Sequence, residues 1–228
     1  MRAGAVVLAA CLAAAAARAD EGAHFVGDLG LGIQRTRATA PGAAARTAPL
    51  PYAYGDLGRL FVREDTFGVK LVPVGWGALE LVARVSREGS DGDGGGLAHR
   101  TNPRPLGVGT FQETPWGGVF ADAFVDTVSR GTLLEASYAA QLSAGPATLY
   151  PQAGLARRSA RYDAHLYDVH AASTTPVLQL SGELPSAADW VALAHVQWEP
   201  FGRAVRTSPR VDARSRASAL LAIAWRFK

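Results

Sequence analysis

Trp190-Val191-Ala192-Leu193-Ala194-His195-Val196-Gln197-Trp198-Glu199 is the stretch that decides the reading of this chain. Trp190, Ala192, Ala194, Val196 and Trp198 fall on one face of an extended segment, and His195, Gln197 and Glu199 on the other. A period of two belongs to a β-strand, whose successive side chains point to opposite sides. One tryptophan at each end of the apolar face suits a strand that crosses a bilayer between two interfaces. The polar face then looks into an interior that holds water or ion pairs.

The same alternation recurs in segments of about ten residues. Phe25, Gly27, Leu29, Leu31 and Ile33 alternate against Asp28 and Gln34; Leu79, Leu81, Ala83 and Val85 against Glu80, Arg84 and Ser86. Val119, Ala121, Ala123 and Val125 oppose Asp122 and Asp126, while Leu134, Ala136, Tyr138, Ala140 and Leu142 oppose Glu135, Ser137 and Gln141. Leu178, Leu180 and Leu184 oppose Gln179, Ser181 and Glu183. Prolines at 73, 105, 115, 146, 151, 176, 185, 200 and 209 break any long helix. The expectation is an all-β chain with no helix between its strands. A soluble sandwich and a secreted barrel with an apolar interior are the competing all-β architectures. Strand-face charges opposite aromatic-ended apolar faces favour the transmembrane barrel.

Breaks between segments set the topology. Those at 56–58, 74–77, 114–117, 144–147 and 185–189 are short; those at 35–47, 87–102, 160–175 and 201–213 are long. Tight hairpins at Glu64-Asp65 and Arg130-Gly131 complete an alternation of short turns with longer or outer connections. An antiparallel barrel of about twelve strands follows, or ten if the short, proline-rich second and third segments are miscounted, with brief periplasmic turns and longer external loops.

Composition agrees once each strand is split by parity. The 228 residues are 48% hydrophobic and 19% charged, with 25 glycines and one cysteine. This excludes a disordered chain, a disulfide scaffold and a collagen-like repeat. Residues 1–19 read as a secretory signal peptide: Arg2, an apolar run from Ala5 to Ala17, and a small-x-small site ending at Ala19. A lipoprotein reading at Cys11 is disfavoured by the very short apolar stretch before it. The barrel is then expected over residues 20–228. Without Arg2 and Arg18 the formal charge falls from +3 to +1, and no basic run with interleaved aromatics points to nucleic acid.

Parity assigns Lys70, Glu80, Arg84, Asp122, Asp126, Glu135, Glu183, His195, Glu199 and Arg226 to the lumen. Such a lining is either a water-filled channel mildly favouring cations or an ion-pair network that conducts little; the second is favoured because buried charges are normally paired. Trp190 and Trp198 are expected at the membrane interfaces. No nucleophile–base pair is expected on the outer face, where a lipid-deacylating enzyme needs one. His165 and His170 share a loop with Asp163 and Asp168, read as solvated side chains rather than metal ligands. The acidic, glycine-rich Gly89–Gly96 has too few oxygen ligands for calcium. No cofactor, metal or catalytic residue is therefore assigned.

Leu221, Ile223, Trp225 and Phe227 alternate to the end of the chain and resemble the C-terminal signal that delivers barrels to the outer-membrane assembly machinery, although Lys228 follows the aromatic. Ala48-Pro49-Leu50-Pro51-Tyr52-Ala53-Tyr54, Gly58-Arg59-Leu60-Phe61-Val62, Ser208-Pro209-Arg210-Val211-Asp212 and the run 214–227 together resemble the MltA-interacting protein (MipA/OmpV) family of Gram-negative outer-membrane proteins. Leu166-Tyr167-Asp168-Val169 stands where that family usually has Tyr-Tyr-Gly-Val. The resemblance implies a non-catalytic barrel in outer-membrane lipid, scaffolding a murein hydrolase and a murein synthase. A passive small-solute pore or adhesin is the alternative it leaves open. An interfacial lipid hydrolase is a third, which requires Ser137 or another strand serine to face lipid beside a histidine.

Overall fold

The computed structural model describes residues 24–88, 100–186 and 188–228. The leader at 1–19, Cys11, the Gly89–Gly96 stretch and His99 lie outside the described residues.

Strands form where the alternation lies. In chain order they are β1 (Phe25–Thr36), β2 (Arg46–Leu57), β3 (Leu60–Arg63), β4 (Thr66–Val74), β5 (Gly77–Arg84), β6 (Pro105–Thr114) and β7 (Gly117–Asp126). Then follow β8 (Thr132–Ala140), β9 (Leu142–Ala144), β10 (Ala147–Arg158), β11 (Ser173–Pro185), β12 (Trp190–Pro200) and β13 (Ser215–Phe227). β8 and β9 both pair with β10 and form one stave interrupted at Gln141. The wall therefore has twelve antiparallel staves, and it closes where β1 pairs with β13 from Gly27↔Phe227 to Thr36↔Ser218. The proline-rich second and third segments are separate staves, so the count is twelve and not ten.

The short turns gather at one end with the start of β1 and the end of β13, and the longer connections leave from the other. At the short-turn end Gly75 holds a φ of 60°, a left-handed conformation that costs glycine little. At the other end Glu64 and Arg130 adopt left-handed backbone at the two tight hairpins.

Two long loops contain short helices, α1 (Ala160–Tyr167) and α2 (Arg203–Arg206). This corrects the expectation of a helix-free chain. Tyr162 and Leu166 lie one helical turn apart and are buried, with Asp163 and Tyr167 beside them, so α1 has an inward face that period-two reading overlooks. Asp168, with φ 56°, ends the helix.

Core and surface are inverted relative to a soluble domain. Leu31, Ile33, Leu155 and Leu221 on the outer face are 71, 58, 57 and 68% exposed. A contiguous apolar band of this kind far exceeds what soluble monomers expose. The buried apolar cluster lies inside the long-loop end instead, where Phe61, Val82, Phe124, Leu133 and Ala156 of the wall meet Tyr162, Leu166, Tyr167, Phe201 and Val205 of the loops. Gly131 makes this docking close: a Cβ there would stand 2.5 Å from the Tyr162 backbone nitrogen.

One stave is unusually short. β3 pairs with β2 only from Tyr54 to Leu57, so residues 46–52 of β2 have no strand partner on that side among the described residues. The Glu64 N–H donates to the Ala53 carbonyl at 3.0 Å, so odd-numbered residues of β2 turn their backbone groups toward this open edge. Pro49 and Pro51 therefore place their missing N–H groups along it. Proline at an edge position costs the ladder nothing and leaves no donor for a foreign strand.

Candidate functional site

Strand parity carries the charged side chains inward, where pairing resolves them into three groups. Near the short-turn end, Arg226 grips both carboxylate oxygens of Asp28 at 2.8 Å and reaches Glu183 at 2.6 Å. The Tyr150 hydroxyl donates to Glu183 at 3.1 Å. Along the opposite wall, Arg63 forms a two-pronged contact with Glu80, each arm 2.8 Å long. Its guanidinium also lies over Phe61 and Phe111, 4.1 and 4.9 Å from the ring centroids. Arg84 pairs with Glu135 and covers Phe124 at 4.7 Å, with Asp122 beside Glu135 in register.

The third group lies under the apolar cluster of the loops. Arg158 meets Glu199 at 2.5 Å, and Thr175 donates to the same carboxylate at 2.9 Å. Arg216 reaches Glu88 and the Tyr167 hydroxyl. These charges come from β10, β12, β13 and the segment after β5, and α1 closes over them. An apolar cluster thus lies above a paired ion network at the long-loop end. Below it a cavity of about 410 Å³ remains, lined among others by Tyr52, Tyr54, Glu64, Gln152, Gln179 and His195.

Three residues assigned to the lumen stand apart from these groups, the first being His195, which lines the cavity. Lys70 pairs with Asp56 at 2.8 Å near the short-turn end. Asp126 is fully buried at the rim, accepting from the Arg104 and Ser129 backbone N–H groups at 2.5 and 2.6 Å, and so shapes a loop base. Asp28, Arg63, Arg158 and Arg216, all central to the network, are absent from the sequence assignment.

Ser137 accepts a 2.7 Å hydrogen bond from Gln152 and lines the cavity, so it does not face lipid. Among the described residues a Ser–His contact does occur, and it is internal: Ser181 Oγ lies 2.8 Å from His195 Nδ1. Glu64 approaches the same nitrogen at 3.6 Å. A catalytic relay needs serine and acid on opposite ring nitrogens, so this arrangement is a polar contact and not a triad.

The loop histidines do not converge either. His165 Nε2 lies 2.9 Å from the Thr101 carbonyl oxygen, and no group of three metal-binding side chains occurs among the described residues. Asp163, expected in solvent, is fully buried in α1, where burial pushes its carboxyl up. Asp168 ties three loops together by accepting from Arg210 and, at 2.5 Å, from Arg100. The Arg210 hydrogen bond, aided by Arg100, holds its carboxyl below the usual range. A lowered folded pKa means that the tie is intact above the ordinary carboxylate range and is lost as pH falls through the depressed value. Limited proteolysis of the long loops should therefore accelerate only below that range, and D168N should show the acid pattern already at neutral pH.

Aromatics mark the two ends of the outer face. Trp190 packs edge-on against Trp225, with centroids 5.3 Å apart, and Phe227 against Phe25 at 5.8 Å, all near the short turns. Trp76 and Trp116, at hairpin tips of that end, are 74 and 78% exposed and escape a reading based on strands. Trp198 lies exposed toward the other end, while Leu221 and Ile223 project outward from β13 between the two levels.

A family model described as MltA-interacting protein MipA matches residues 29–227. No curated protein matches the sequence.

Proposed function

This chain belongs to the MltA-interacting protein (MipA) family, and from that premise we propose an outer-membrane barrel that works through protein contacts and not as an open channel. The observation that carries this reading is the long-loop mouth, filled by an apolar cluster that joins five staves to α1 and the loop of α2. A pore needs a continuous wet path, and an apolar cluster packed over paired charges at this end supports a barrel without one.

Placement in the bilayer is supported by the exposed leucine and isoleucine band and by the tryptophans at its two levels. The family's name, an MltA-interacting protein, supports an enzyme of murein turnover as the leading partner, met at the periplasmic, short-turn face. Exposed Trp76 and Trp116 on adjacent hairpins give that face aromatic anchors of the kind enriched at binding surfaces. A small-solute pore is the second reading, favoured by the polar cavity beneath the cap.

The deciding experiment joins affinity capture from detergent-solubilised envelopes to planar-bilayer recording. Co-purification of a murein transglycosylase with an electrically quiet barrel is expected. Clear single-channel steps with no murein enzyme recovered would replace this reading by the pore.

A further inference from the structure

Arginine supplies almost all the positive charge of this chain, with lysine only at positions 70 and 228, and the topology sorts it by height. On the strands, every carboxylate among the described residues has inward parity. The charged strand residues with outward parity are Arg35 and Arg157, and both stand at the long-loop edge. Each follows an exposed apolar residue of the same face by two positions, Ile33 and Leu155. Arg35 has Thr47 and Ala219 as cross-strand neighbours, and Arg157 has Leu134 and Thr174, so neither has an acid opposite.

Above this level Arg37, Arg130, Arg161 and Arg203 are exposed around the rim. The exposed carboxylates there, among the described residues, are Asp168 and Asp212; the Glu64-Asp65 hairpin is recessed in the wall. Asp168 is already engaged by Arg100 and Arg210. Among the described residues the long-loop rim is thus rich in cationic side chains whose lowest members point outward, where the apolar band ends.

We propose that this arginine collar binds the phosphate groups of the glycolipid that forms the outer leaflet around the barrel. The inference rests on the membrane placement proposed above. Phosphates of a bilayer lie just beyond the hydrocarbon, at the height where Arg35 and Arg157 leave the apolar band, and their stems can lie along that band while the heads reach outward. Arginine suits the task better than lysine because its planar fork meets two phosphate oxygens at once. Lipid is the source, and not a soluble polyanion, because the two lowest arginines face sideways into the bilayer.

The test uses the folded full chain in detergent, with a bisphosphorylated glucosamine glycolipid and its dephosphorylated form as probes. Lipid retained by the protein after gel filtration is measured. Wild type should retain the phosphorylated form preferentially, and less as salt rises. The double variant R35Q/R157Q should lose about tenfold in retention, the scale of one or two charge-assisted hydrogen bonds. R59Q, an exposed arginine at the opposite end, serves as the control and should retain lipid as wild type does.

Equal retention of both lipid forms, or no loss in R35Q/R157Q, would overturn the collar. Inorganic polyphosphate bound as tightly as the glycolipid would overturn the lipid assignment. Insertion of wild type into vesicles is scored separately. If it fails, the membrane placement falls and takes the collar with it; if it succeeds without phosphate discrimination, the collar alone falls.

Discussion

Replacing Glu199 by leucine is expected to cost about 3–5 kcal/mol of folding stability, the penalty for stranding a buried charge without its partner. Arg158 and Glu199 have side chains only 4 and 2% exposed and lie 2.5 Å apart. Once the carboxylate is gone, Arg158 keeps the Thr175 hydroxyl at 3.3 Å, and the nearest acid left to it among the described residues is the more distant Glu88, at 3.6 Å. R158M should be comparably damaging, because Glu199 would keep only Thr175 and, at 3.7 Å, Arg216. The double variant R158M/E199L should recover most of the loss, since two apolar side chains fill the space without a desolvated charge. Urea titration of tryptophan fluorescence in vesicles measures all three. A double variant no better than the singles would show that the pair is not one unit. Because these residues lie directly beneath α1, the single variants should also loosen the cap and raise the electrical leak through the barrel.

Leu31→Arg separates the membrane reading from a soluble one more sharply than any localisation argument. Leu31 is 71% exposed and points outward from the middle of β1, between Leu29 and Ile33. On a protein surrounded by water such a substitution changes stability by no more than about 0.5 kcal/mol. At the midplane of a bilayer the same arginine costs about 2–4 kcal/mol. The expected outcome is a large loss in vesicles, measured by the same unfolding titration. No loss in vesicles would take the band out of the bilayer and with it the functional reading built on it.

Much of the wall was legible because a strand states its two faces in alternate letters. Trp190 to Glu199 and Val119 to Asp126 each show an apolar row against a polar row, and both are strands with those rows on opposite sides. The positions of the turns were equally plain from Gly75, Gly145 and the prolines near them. Pairing was not legible, because it depends on register between distant staves: Arg226 and Asp28 are neighbours only because the last stave closes on the first. Arg157 and Arg158 are the clearest case. They are adjacent and chemically identical, yet one faces outward and the other meets Glu199 in the interior. Nothing local distinguishes them until the parity of Leu155 is fixed. The cap was missed for a different reason: Tyr162 and Leu166 obey a helical period over only two turns, within a loop read as irregular.

The four-residue β3 gives the cylinder a mechanical weak line. Parting β2 from β3 breaks four residue pairs, whereas parting β1 from β2 breaks twelve. The β3–β4 seam is also four pairs long, but the Glu64-Asp65 hairpin ties it on the long-loop side, so tension at that rim is relieved at a slit between β2 and β3. Pro49 and Pro51 line the lip of that slit and keep it from being stitched to a neighbouring molecule. The yield point of the barrel is thus written in the length of its shortest stave, and the wall opens there first when pulled.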